Sequence, residues 1–299
     1  APIDLAVQNW RQMLVAQRAY KRLNEMFERP ASVEQLDLPA PRQSLKLEGV
    51  AVMPPGSQAL TLQGSTFAMH AGDTVGIIGH SGSGKSTLAR ALVGVWPPLM
   101  GRIELDGAPL SQWKLQRLGR HMGYLPQDVE LFEGTVAENI ARFDPEASDA
   151  DIISAAQAAG CHDLILTLKD GYSTYIGEQG AILSAGQRQR IALARALYGE
   201  PFLIVLDEPN SSLDGQGDQA LNQAIVQAKQ RGAIVIVVAH RPSVLSVIDK
   251  LALVENGRLS AFGPREEVLK RVMSANKVQS SSAGKQTAVA ENRIAHQAE

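Results

Sequence analysis

Thr74-Val75-Gly76-Ile77-Ile78-Gly79-His80-Ser81-Gly82-Ser83-Gly84-Lys85-Ser86-Thr87-Leu88-Ala89-Arg90-Ala91-Leu92-Val93 decides the fold. Its centre, residues 79–86, fits the P-loop pattern G-x-x-x-x-G-K-[ST]. Thr74–Ile78 reads as a buried strand and Leu88–Val93 as a helix, the context the pattern requires. The glycines let the backbone curl so that successive N–H groups converge on phosphate oxygens. The helix N-terminus adds its partial positive charge. Gly79, His80, Ser81, Gly82, Ser83, Gly84, Lys85, Ser86 and Thr87 thus read as a nucleotide phosphate cradle. Lys85 is placed to reach the β- and γ-phosphates and the Ser86 hydroxyl to ligate Mg²⁺. A glycine-rich turn with a chance lysine would lack both flanks.

Working outward, strands alternate with helices. Phe202–Leu206 and Ala233–Ala239 are continuous apolar runs, expected for parallel strands covered on both faces. Leu45–Val52 alternates like a strand, and Ala59–Phe67 is expected to be a second. Arg102–Asp106 ends in an Asp-Gly turn, and Asn256-Gly257 marks a hairpin between Leu251–Glu255 and Arg258–Phe262. Helices are expected at 135–142, 149–159 (N-capped by Asp149), 162–168, 186–198, 216–230 and 264–273. The expected architecture is an α/β P-loop core with a parallel sheet, a small antiparallel β-subdomain and a helical subdomain over about 125–199.

At the N-terminus, Leu5, Trp10, Met13, Leu14, Tyr20, Leu23, Met26 and Phe27 recur at broadly helical spacing up to Pro30. Either this helix packs on the next domain, or it is the cytoplasmic end of a membrane-domain helix. The spacing does not separate the two. Pro30, Pro39 and Pro41 mark 31–43 as a linker, 44–273 as the main domain, and 274–299 reads as a disordered tail.

Composition narrows the class. The 299 residues carry a net charge of −2, which argues against a nucleic-acid partner. A single cysteine, Cys161, excludes an intrachain disulfide framework. No apolar run reaches the roughly 18–20 residues of a membrane span.

The chemistry gathers at strand ends, where open α/β sheets bind ligands. Asp207-Glu208 follow the apolar run 202–206. One carboxylate suits Mg²⁺ and the second an attacking water. His240 ends the next strand and points the same way, although alone it would pass for a satisfied histidine. Ser184 and Gln187 have capping-box spacing at a helix start. Capping and phosphate binding use the same N–H groups, so the spacing leaves both open.

The P-loop at 79–86, Gln127, Leu183–Gln187, Asp207-Glu208, Ser211-Ser212-Leu213-Asp214 and His240 stand in the order of an ABC transporter nucleotide-binding domain, which residues 44–272 resemble. The resemblance implies an ATP-hydrolysing domain and a homodimer that sandwiches ATP. Ser184, Gly186 and Gln187 would be the signature residues presented to the partner copy's ATP. Gln127 would touch Mg²⁺ or water and sense the membrane domain, and Ser211–Asp214 match the D-loop. Thr174–Gly180, with its acidic Glu178, resembles the loop before the signature that marks exporters. Val93–Pro98, Gly123–Phe132, Asp207–Ser211 and Ala239–Ser243 are similar to bacterial type I protein secretion exporters, the alkaline-protease and repeat-toxin subgroup above all. That likeness implies the ATPase half of a fused half-transporter with its membrane spans removed, a periplasmic adaptor, an outer-membrane channel, an unfolded secreted protein as cargo, and a place on the cytoplasmic face of the inner membrane. Residues 1–30 would be the tail of the transmembrane domain. Another ABC exporter of lipids or small molecules, or a soluble ABC ATPase, are the alternatives. Two positions depart from the pattern. Ala185 stands where a glycine is usual, which would be strained if its φ is positive. None of Val52, Met53 and Pro54 is the aromatic that usually stacks on adenine, so weak base recognition is expected.

Overall fold

The computed structural model describes residues 2–27, 35–239 and 241–274. His240, residues 28–30 at the end of the expected N-terminal helix, residues 31–34 of the expected linker, and the tail beyond residue 274 lie outside them. Chain order runs α1 (Pro2–Phe27), β1 (Ser44–Val52), β2 (Leu62–His70), β3 (Thr74–Ile78), α2 (Lys85–Leu92), β4 (Met100–Leu105), β5 (Ala108–Pro109), α3 (Leu115–Arg120) and β6 (Met122–Leu125). It continues through α4 (Val136–Ile140), α5 (Asp149–Ala158), α6 (His162–Leu166), α7 (Ala185–Leu197), β7 (Leu203–Asp207), α8 (Gly215–Gln230), β8 (Ile234–Val238), α9 (Pro242–Leu245), β9 (Lys250–Glu255), β10 (Arg258–Pro264) and α10 (residues 265–274).

Two sheets form. One is antiparallel, in the order β2-β1-β4-β5. The other runs β10-β9-β3-β8-β7-β6, parallel except for its edge strand β10. The apolar runs behave as fully covered strands: every residue of β7 and β8 is buried. Their side chains alternate between two cores. Leu203, Val205, Ile234, Ile236 and Val238 pack with Leu88 and Leu92 of α2 and with the antiparallel sheet. Ile204, Leu206, Val235 and Val237 pack with Ile191–Leu197 of α7 and with α5 and α8. Helices α2 and α7 therefore cover opposite faces of one sheet. Each buried aliphatic side chain contributes about 1.5–3 kcal/mol relative to exposure, so the two-period alternation holds both layers in place.

The helical layer between β6 and β7 is pinned by one cation. The half-buried Arg142 guanidinium donates to the carbonyls of Gly119 (2.7 Å), Met122 (2.9 Å), Arg195 (2.9 Å), Ala196 (3.3 Å) and Tyr198 (3.2 Å). These partners include no carboxylate, and burial pulls its pKa down to about 10. The β6 backbone meets the end of α7 so closely at Gly123 that a Cβ there would lie 1.9 Å from Ala196 O.

Two sequence expectations change. The second strand starts at Leu62, not Ala59. Residues 57–60 are taken by a local turn in which the Ser57 hydroxyl accepts from Ala59 N (3.1 Å), and pairing resumes at Thr61 N to Val52 O (3.0 Å). The cap of α5 is Ser148, whose hydroxyl accepts from Asp151 N (3.1 Å), while Asp149 is the first helical residue. Both types suit an N-cap, and the residue with extended backbone takes the role. The α1 residues Trp10, Met13, Val15, Tyr20 and Leu23 are exposed, so these side chains do not pack on the described domain. No described helix is long and apolar enough to cross a membrane.

Candidate nucleotide site

The P-loop leaves β3 at Ile78 and turns into α2 at Lys85. Gly79 (φ +150°) and Gly84 (φ +103°) are required twice over. Their conformations disfavour side chains, and a Cβ would lie 2.1 Å from Val254 O at Gly79 and 2.8 Å from Thr61 O at Gly84. Gly84 is the N-cap of α2 and offers no side-chain acceptor, and no acidic residue lies in the first turn. The first-turn amides are therefore free of side-chain competition, as an anion site needs. Lys85 is 5% exposed, and its Nζ donates to Gly79 O (3.0 Å) and His80 O (2.7 Å), closing the curl of the loop with two of its three donors. Burial pulls its pKa below the usual lysine value, against the opposing pull of Glu208 and Asp207. His80, Ser81 and Gly82 form the exposed crest, and Ser83 and Thr87 are buried beneath it.

Asp207 ends β7 on the α2 side of the sheet. It is 0% exposed, and among the described residues neither carboxylate oxygen has a hydrogen-bond partner. Burial pushes its pKa up. The Ser86 hydroxyl lies near enough to pull it back but makes no well-formed hydrogen bond. An unpaired buried carboxylate is costly unless a cation completes it. Among the described residues no three His, Cys, Asp or Glu side chains converge as a self-contained metal site. Asp207 with the Ser86 hydroxyl therefore fits a hard cation that takes its remaining ligands from phosphate and water, the habit of Mg²⁺.

Glu208 adopts φ +52°, a left-handed conformation uncommon outside glycine, and its N–H donates to Val238 O (3.1 Å). Such conformations cluster at active sites. Gln127, exposed just beyond β6, donates from Nε2 to Glu208 Oε2 at 3.4 Å. Lys85, Ser86, Asp207, Glu208 and Gln127 are thus brought to one end of the sheet. The place of His240 among them lies outside the described residues.

Ser184, Gly186 and Gln187 stand apart from this group, at the start of α7 on the opposite face. Ser184 and Gln187 form a reciprocal capping box, Gln187 N to Ser184 Oγ (3.2 Å) and Ser184 N to Gln187 Oε1 (2.8 Å). Gly186 is the crowded position, where a Cβ would lie 3.1 Å from Ser212 O. Ala185 is helical and exposed, with no positive φ. The strain considered for it is absent, because the first turn of a helix suits alanine. Helix α7 is keyed to the β7 end: Gln189 Nε2 donates to Pro209 O (2.8 Å), and Arg190 pairs with Asp214, the N-cap of α8. At the 53–60 segment, Met53 and Leu60 are exposed and Pro54 half-buried, an apolar surface without an aromatic ring.

Residues 62–211 match the profile of the ABC transporter family. The chain belongs to that family. As its ATP-binding domain, it is an ATPase. It is 52% identical over 298 residues (99% of the chain, 51% of the relative) to the type I secretion system ATP-binding protein PrsD of Rhizobium meliloti. It is 41% identical over 78% of its length, and 40% of the relative, to an ATP-dependent lipid A-core flippase of Chromobacterium violaceum. It is 35% identical over 90% of its length, and 38% of the relative, to the leukotoxin translocation ATP-binding protein LktB of Mannheimia haemolytica. The structure of a bacterial Atm1-family ABC exporter with ATP bound superposes with a TM-score of 0.75 at 30% identity, covering 93% of this chain and 50% of that one. The chain spans about half, or less, of the length of these relatives.

The sequence pattern missed Thr61, Val254 and Gly257, the backbone that presses against the P-loop from behind. The Asn-Gly pair was visible as a turn, but nothing local tells what a turn touches.

Proposed function

We propose that this chain is the ATP-hydrolysing motor domain of a type I secretion exporter, driving an unfolded polypeptide across a bacterial inner membrane from its cytoplasmic face. The observation that carries this reading is the 52% identity to PrsD along 99% of the chain, above the 41% shared with a lipid A-core flippase. In this reading α1 joins the domain to a transmembrane domain, consistent with its exposed Trp10, Met13, Tyr20 and Leu23. A periplasmic adaptor and an outer-membrane channel complete the path.

The amides of 79–85 and the Lys85 ammonium hold the phosphates of ATP, and the Ser86 hydroxyl and the Asp207 carboxylate hold Mg²⁺. The cation, when bound, neutralises charge on the phosphates. Glu208 orients or deprotonates the attacking water, Gln127 positions the Glu208 carboxylate through their hydrogen bond, and His240 contacts the γ-phosphate. The protein makes no bond to phosphorus, so the acceleration is positioning and electrostatics. Because α2 and α7 lie on opposite faces of the sheet, one chain does not fold its own signature residues over its own P-loop. Ser184, Gly186 and Gln187 complete the site of a second copy, which makes the working unit a homodimer.

A chimera tests the reading. This chain replaces the matching half of PrsD in a Rhizobium meliloti strain lacking it, and the proteins missing from its medium are measured. Restored secretion, with a parallel chimera of the lipid A-core flippase inactive, is expected. The reverse pattern would overturn the secretion reading in favour of lipid export.

A further inference from the structure

The chain has two Asx-Gly hairpin turns of nearly the same backbone geometry. Asp106 and Gly107 join β4 to β5 with φ +51° and +79°, and Asn256 and Gly257 join β9 to β10 with φ +49° and +75°. Both are of the kind that favours right-twisted hairpins. Their surroundings differ. Gly107 is exposed, and a Cβ there would meet nothing within 4 Å. Gly257 is buried, and a Cβ there would lie 2.5 Å from Thr61 O.

Gly257 also makes two hydrogen bonds out of its hairpin. Its N–H donates to Ser83 O in the P-loop (3.0 Å), and its carbonyl accepts from Gln63 N at the start of β2 (2.7 Å). The Thr61 carbonyl is wedged between Gly84 and Gly257, and the Val254 carbonyl backs Gly79. The P-loop thus rests on a wall of main chain drawn from both sheets. The same wall leads to the apolar 53–60 segment, through Thr61 N to Val52 O (3.0 Å).

We propose that Gly257 is a positioning residue for nucleotide binding. Its turn clasps the Ser83–Gly84 peptide to β2, and so sets the curl in which the P-loop amides converge. Only glycine fits, since any Cβ must push Thr61 away and open the loop. The inference rests on the P-loop being the nucleotide site.

The experiment compares Gly257→Ala with Gly107→Ala in the full chain, titrating a fluorescent ATP analogue and recording thermal unfolding. Both variants place alanine at a positive φ, so backbone strain alone destabilises them alike. The clasp predicts that Gly257→Ala weakens analogue affinity at least tenfold, while Gly107→Ala stays within twofold. Equal affinities in the two variants would overturn it. Should Gly257→Ala fail to fold, hydrogen exchange on the wild-type chain decides. Analogue binding is expected to slow exchange at the Gly257 amide, behind the loop, at least tenfold and to leave the Gly107 amide unchanged. No extra protection at Gly257 would refute the clasp. A wild-type chain that binds no analogue would refute the P-loop reading itself, and the clasp with it.

Discussion

The starts of α2 and α7 are both helix N-termini assigned to phosphate, and they are built in opposite ways. At α2 the cap is Gly84, no side chain competes for the first-turn amides, and Lys85 is buried behind a closed curl of loop. At α7, Ser184 and Gln187 satisfy each other in a capping box, and the segment is exposed. The first is an unfinished anion site that a ligand completes, and the second is stable without one. On the proposed reading, a single chain binds nucleotide through α2 alone, and α7 contributes once a second chain brings a phosphate to it. The capping box keeps the exposed helix end intact meanwhile, at a worth of about 1 kcal/mol.

Lys85→Ala should show the largest effect on this contrast. It removes the charge facing the phosphates and both bonds to Gly79 and His80 that shape the loop. Charge-assisted hydrogen bonds are worth roughly 1.5–3 kcal/mol each, so nucleotide affinity should fall by about 100-fold or more in the monomer. Fluorescent-nucleotide titration checks it, and affinity within fivefold of wild type would move phosphate binding away from α2.

Asp207→Asn separates stability from function on the α2 side. Burial raises the folded-state pKa of Asp207 above its unfolded value, so the ionised group costs stability once the pH exceeds the ordinary carboxylate range. That cost disappears as the pH falls below the range, where the group is protonated in both states. Without nucleotide, the variant should melt higher than wild type at pH 7, by roughly 2–4 °C for each kcal/mol recovered, and no higher near pH 3. With ATP, it should lose the gain in affinity that Mg²⁺ confers on wild type. Calorimetry with and without MgATP reads both. A lower melting temperature at pH 7 would mean that Asp207 is paired in the resting protein.

Ala185→Gly should show the smallest effect, and it probes the α7 side. Ala185 is exposed, and its helical backbone carries no strain for glycine to relieve. Steady-state kcat should stay within about twofold of wild type. A several-fold rise would mean that the methyl crowds the partner's nucleotide.

Local pattern carried what local chemistry decides. The P-loop, the apolar strand before Asp207-Glu208, the Ser184–Gln187 box and both Asx-Gly turns could be read from residue types at fixed spacing. What escaped depends on residues far apart in the chain. The start of β2 moved three residues because Ser57 closes a turn that competes with pairing. Alternation within β7 and β8 showed two covered faces but not that α2 takes one and α7 the other. The Gly257 contact with Ser83 spans 174 positions and has no sequence signature. Ala185 is unstrained because capping begins at Ser184, which the spacing showed without showing the φ of the next residue.

The central claim is that each chain holds two half-sites on opposite faces of one sheet, joined only across a dimer. Glu208→Gln tests it most directly. The change keeps size and hydrogen-bonding capacity, removes the charge that positions or activates water, and removes repulsion against the γ-phosphate. Light scattering after size exclusion in saturating MgATP should then show a dimer with nearly all turnover lost, while wild-type ATPase activity rises more than linearly with protein concentration. A Glu208→Gln protein that stays monomeric in saturating MgATP, at concentrations where wild type hydrolyses ATP, would contradict the composite site.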